Sequence, residues 1–93
     1  MPKLTTEEIH SALSNLPSWK LEDGKLVRDY TFRDFVAAMA FVNKVADLAE
    51  SANHHPDIDI RYNQVRLGLI SHDSGGITNR DIKLATRLNT EIQ

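Results

Sequence analysis

The sequence predicts an α+β domain: a four-stranded antiparallel sheet of two hairpins with three helices on one face, in the order α-β-β-α-β-β-α. Three observations carry that prediction. Two stretches alternate apolar and polar residues on both sides of a tight turn, the period of strands with one wet face. Three others repeat apolar residues at helical spacing behind hydroxyl or acidic caps. No repeat, linker or low-complexity run interrupts the 93 residues, so 1–93 reads as a single domain.

Thr5-Thr6-Glu7-Glu8 has the form of a capping box, a hydroxyl followed three residues later by Glu. Ile9, Ala12, Leu13 and Leu16 then recur at helical spacing until Pro17, which is expected to stop the first helix. Between Trp19 and Tyr30, Asp23-Gly24 joins two alternating arms, a strong hairpin signal. Thr31-Phe32-Arg33-Asp34 supplies the cap of a long helix. Along that helix Phe35, Ala38, Met39, Val42, Ala46 and Ala49 form one stripe, and Phe41, Val45, Leu48 and Ala52 form a second beside it. So wide an arc suggests core on one side and a subunit contact on the other. Pro56 is expected to end the helix, because a residue before proline is pushed out of the α region. Ile58, Ile60 and Tyr62 alternate with Asp57, Asp59 and Arg61, and Val65, Leu67 and Leu69 continue after a turn near Asn63. Ser74-Gly75-Gly76 reads as a loop. Thr78 then caps a last helix, with Asp81 at its third position and Ile77 placed to staple against Ile82.

A chain this short buries roughly 60–65% of its unfolded surface, one modest core that an oligomer would enlarge. Eleven Lys and Arg stand against 13 Asp and Glu, with no basic run or face, so direct nucleic-acid binding is disfavoured. The absence of cysteine excludes disulfides and thiolate metal sites. Met1–Thr5 lacks the apolar stretch of a signal peptide, and no window approaches the roughly 20 apolar residues of a membrane span. A soluble cytoplasmic protein with no membrane partner is the expectation.

The chemistry gathers in one half. Glu50, His54-His55-Pro56, Tyr62, His72 and Asp81 fall within 32 residues and include three of the four histidines. Histidine both gives and takes protons near neutral pH, so three of them beside acids prepare general acid–base chemistry. Each residue also has a plain reading. Glu50 and His54 can be an exposed i, i+4 pair worth a few tenths of a kcal/mol, or Glu50 can orient His54 and fix its tautomer. His55-Pro56 can be a helix terminator, although that explains Pro56 better than His55. His72 can be surface decoration in a turn, Asp81 a dipole partner and Arg80 solvated. Trp19 reads as core or pocket wall, with an indole able to stack on a heteroaromatic ring. Adjacent His-His suits one metal ion poorly and no His-x-x-x-His or His-x-His occurs, so no metal is expected. No Gly-x-Ser-x-Gly nucleophile and no phosphate-cradling Gly-rich loop is present.

Glu, three residues, His-His-Pro, five residues, Tyr, nine residues, His, eight residues, Asp resembles the pattern of the pterin-4a-carbinolamine dehydratases. Pro17-Ser18-Trp19, Phe32-Arg33-Asp34-Phe35 and Ser71-His72-Asp73-Ser74-Gly75-Gly76 resemble the same family, so the likeness covers most of the chain. Ser71 stands where the family commonly has Thr. The resemblance implies loss of water from 4a-hydroxytetrahydropterin, the carbinolamine left by aromatic amino acid hydroxylases, giving a quinonoid dihydropterin. It implies His55 and His72 as the principal proton-transfer groups, with His54 binding or polarising substrate. Glu50 would orient His54, Asp81 would orient a histidine or bind the pterin edge, Arg80 would touch the rim and Trp19 would close the pocket. No cofactor is implied; a homodimer or homotetramer and a functional link to a pterin-dependent hydroxylase are. Two other roles stay open: a dimerisation cofactor for a homeodomain transcription factor, and the handling of another pterin, as in molybdopterin metabolism.

Overall fold

A computed structural model describes residues 2–92. Its elements are α1 (Thr6–Leu13), β1 (Lys20–Glu22), β2 (Lys25–Thr31), α2 (Phe35–Ala52), β3 (Asp57–Arg61), β4 (Gln64–Leu69), a 3-10 turn (His72–Ser74) and α3 (Asn79–Glu91). The sheet is antiparallel throughout, in the order β1-β2-β4-β3. The α+β architecture expected from the periodicity is the one observed.

Local chemistry explains most boundaries. Thr5 and Glu8 close the capping box of α1, each side chain accepting from the other's backbone N–H. The helix stops at Leu13, short of Pro17. Ser14 Oγ donates to the Ser11 carbonyl at 2.6 Å, and the following turns tighten to i−3 bonds at Asn15 and Leu16. Asp23 and Gly24 both have positive φ, the requirement of a type I′ hairpin turn between β1 and β2. Asp34 caps α2 by accepting from Ala37 N at 2.9 Å.

Alternation then divides the sheet. Leu26, Val65, Leu67 and Leu69 face the helices and are fully buried against Ala38, Phe41, Val42, Val45 and Leu48 of α2 and Leu84, Ala85 and Leu88 of α3. The second apolar stripe of α2 is consumed here and the first in part, with Phe35 and Ala46 exposed. Of that wide arc, Phe41, Val45 and Leu48 belong to the chain's own core. Apolar surface is left instead at Phe35, Val36, Ile58, Ile60 and Tyr62. The opposite face of the sheet is charged, with Arg66 paired to Asp29 and Glu22 and Lys25 to Asp57. Tyr62 lies in the β3–β4 turn at φ 52°, not in the strand.

Candidate active site

The end of α2 decides the site. Its helix stops at Ala52, and Asn53 takes the left-handed conformation at φ 51°, which Asn tolerates better than most residues. His54 N then bonds back to the Ala49 carbonyl at 3.2 Å. Pro56 is thus not the stop, which comes three residues earlier. The left-handed step also turns His54 away from the helical register that would pair it with Glu50. The expectation that Glu50 orients His54 is corrected: Glu50 Oε2 meets Nε2 of His55, while Nε2 of His54 reaches Oδ1 of Asp81 at 2.6 Å. The two pairs differ in setting. His54 and Asp81 side chains are 11% and 0% exposed; those of His55 and Glu50 are 58% and 77% exposed.

Asp81 is the hub of the buried pair. It sits at the third position of α3, where the Thr78 capping box needs an acceptor, and its Oδ2 accepts from Thr78 N at 2.8 Å and from Ser71 Oγ at 2.9 Å. Because Ser71 Oγ gives its proton to Asp81, the 2.8 Å contact between Ser71 and Thr78 is donated by the Thr78 hydroxyl. With both oxygens of Asp81 accepting, His54 Nε2 is the donor, and the tautomer follows. The capping role expected for Asp81 and its site role are therefore one geometry.

Ser71 is followed by His72, exposed at the start of the 3-10 turn, so the Asp81 network ties the segment bearing His72 to His54. Arg80 meets Asp73 of the same turn; that hydrogen bond holds the Asp73 carboxyl below its ordinary value. Pro56 is half-buried between His55 and β3. Two residues fall outside this gathering. Trp19 is buried and donates from Nε1 to Asn89 Oδ1 at 2.9 Å. Asn89 is eight residues along α3 from Asp81, roughly 12 Å at the helical rise. Trp19 is a core residue, the first of the two places the sequence allowed it. Tyr62 is separated from His55 by the length of β3, roughly 17 Å.

Beside His54 opens a cavity of about 570 Å³, within the range of small-molecule sites. Ala52, Ile82 and Leu84 supply its apolar wall, and Thr86, Arg80, Lys83 and Arg87 line the rest. A second hollow, about 470 Å³, lies on the charged sheet face between Asp29, Asp59, Arg61 and Arg66 and contains no histidine. Sequence reasoning missed Ser71 as part of the network, and Lys83 and Arg87 as lining. The signal for the latter was present: residues 80, 83 and 87 repeat a cation at i, i+3, i+7.

An α+β frame that brings a buried His–Asp pair and a histidine-bearing turn to one helix end has relatives. The chain belongs to the pterin 4 alpha carbinolamine dehydratase family, which residues 2–91 match. A protein of Acidobacterium capsulatum provisionally named pterin-4-alpha-carbinolamine dehydratase is 59% identical over 88 residues, covering 95% of this chain and 96% of that one. One of Chloroflexus aurantiacus, with the same provisional name, is 52% identical over 89 residues, covering 96% of each. The crystal structure of a transcriptional coactivator/pterin dehydratase from Brucella melitensis superposes with a TM-score of 0.87 at 37% identity, covering 95% of this chain and 96% of that one. A pterin dehydratase-like RuBisCO assembly factor of the alpha-carboxysome shares the fold alone, at a TM-score of 0.65 and 22% identity over 78% of this chain and 87% of that one.

Proposed function

We propose that the chain dehydrates 4a-hydroxytetrahydropterin by histidine acid–base catalysis, without metal or redox cofactor. Dehydratase family membership supports the reaction class, and the observation that carries the residue roles is the Asp81 network linking His54 to the segment of His72. In the reaction the C4a–O bond breaks as the hydroxyl takes a proton and leaves as water. N5 loses a proton as its electron pair forms the C4a=N5 bond. One proton enters and one leaves, so an acid and a base at two ends of a small heterocycle suffice. His55 and His72 are the proposed pair, each contributing about 10²–10⁴-fold. His54, fixed by Asp81, hydrogen-bonds and polarises the ring. Glu50 orients His55.

The test is stopped-flow absorbance of carbinolamine decay after dialysis against EDTA. Wild type should accelerate decay and His72→Ala should lose most of that acceleration with its fold intact by circular dichroism. Full turnover in His72→Ala would remove that residue from the mechanism; no acceleration by wild type would remove the reaction.

The Brucella protein is also described as a coactivator. The gathered histidines and acids, which a pure binding module has no need of, favour the enzyme reading. A homo-oligomer remains part of the proposal, with edge strand β3 as its contact. Pairing two copies antiparallel about Asp59 sets Ile58 against the other copy's Ile60 and Asp57 against its Arg61, covering two isoleucines left 37% exposed. Light scattering on Ile60→Lys, read against wild type, tests it.

A further inference from the structure

We infer that the cavity beside His54 contains an anion subsite, built from Lys83 and Arg87, that selects pterins carrying a negatively charged side chain. This rests on a pterin being the ligand of that cavity, and it concerns the part of the ligand that does not react. The cavity's charged lining is all of one sign: Arg80, Lys83 and Arg87, with His54, and no carboxylate. The three cations are spaced so that one side of α3 presents them in a row leading away from the His54–Asp81 pair. Their commitments differ. Arg80 is engaged by Asp73 across the rim, and Arg87 holds Glu91 one turn further along α3 at 2.6 Å. Lys83 is exposed and enters no ion pair among the described residues. An apolar wall of Ala52, Ile82 and Leu84 beside such a row fits a flat heterocycle whose tail ends in an anion. The shared chemistry is a phosphate ester or a carboxylate on the pterin side chain, for which Lys and Arg are the usual donors.

The experiment separates this from the dehydration itself. Oxidised, unreactive pterins with a neutral, a phosphorylated or a carboxylated side chain are titrated by fluorescence quenching against wild type, Lys83→Ala/Arg87→Ala and Lys83→Glu. The matching carbinolamines give kcat/KM ratios. Wild type should prefer at least one anionic ligand by about tenfold at low salt, the yield of one hydrogen bond to a charged group. The phosphate and carboxylate arms identify which anion is read. The preference should shrink with ionic strength, collapse towards one in the double variant and invert in Lys83→Glu. Equal binding of all three ligands by wild type, or a preference untouched by the variants, overturns the subsite. Dehydration without discrimination would leave the proposed reaction standing, and discrimination without dehydration would leave the subsite standing.

Discussion

His54 and His55 are neighbours in sequence, and each has a carboxylate partner, yet the two pairs are physically unlike. Asp81 is wholly buried and also serves Ser71 and Thr78, whereas Glu50 and His55 lie mostly in water. A buried charge whose partner is removed keeps its desolvation cost, typically 3–5 kcal/mol, while an exposed pair contributes about 0–1 kcal/mol. Acid–base chemistry at one helix end therefore divides into a half that is part of the fold and a half that is free of it. Only the second can be altered without disturbing the scaffold.

The largest effect is expected at Asp81. Asp81→Ala strips His54, Ser71 and the Thr78 backbone N–H of their acceptor and should cost about 3–5 kcal/mol, a large share of a domain stability of about 5–15 kcal/mol. Urea unfolding followed by circular dichroism reads it. Asp81→Asn keeps the shape and one acceptor oxygen, so its stability should fall between the two while turnover drops. A loss below about 1 kcal/mol in Asp81→Ala would erase the distinction between the two pairs, since that is what exposed pairs lose.

Tyr30 sharpens the same point from the opposite side. Its ring stacks among Phe32 and Phe41, 4.4 Å from the latter's centroid, and its buried hydroxyl finds no hydrogen-bond partner among the described residues. Burial raises its pKa above the ordinary 10, the Arg28 charge opposing. Tyr30→Phe should therefore stabilise the fold by about 1 kcal/mol, by removing an unpaid desolvation. The raised value also means that ionisation of Tyr30 costs the fold nothing below pH 10, and that stability is lost as pH rises from there through the folded value. The wild-type decline on the alkaline side should be shallower in the Phe variant.

Glu50→Ala and His55→Ala come next. Each should shift stability by less than about 0.5 kcal/mol, the range of surface changes. His55→Ala should still slow carbinolamine decay about 100-fold. A thermal shift as large as that of Asp81→Ala would place Glu50 and His55 in the scaffold after all.

These contrasts also explain what could be read without coordinates. Capping boxes at Thr5 and Thr78, the Asp23-Gly24 turn and the cap at Asp34 are local devices whose geometry follows from a few residues. The set of histidines and acids was legible for the same reason. Their pairing was not. It turns on Asn53 adopting a left-handed conformation, one backbone choice that moves the helix end away from Pro56 and exchanges the partners of Glu50. Trp19 was ambiguous because its hydrogen bond to Asn89 spans 70 residues of sequence. The width of the α2 arc was read correctly, but only packing reveals that two sides of that helix face one core.

The smallest effect belongs to the charged face of the sheet. Arg66 donates to Asp29 at 2.7 and 3.1 Å and also meets Glu22. Its hydrogen bond, above all other causes, holds Asp29 below the ordinary 3.8. A lowered folded value stabilises above pH 3.8, and that contribution is lost as pH falls through the folded value. Asp29 is about half exposed, so solvent screening reduces the gain to a few tenths of a kcal/mol. Arg66→Ala should flatten the acid side of the stability curve by that amount, and 1 M salt should mimic the substitution in wild type. If the Arg66 variant instead lost several kcal/mol at neutral pH, the open face would behave like the Asp81 network, and exposure would not be what separates the two halves of this molecule.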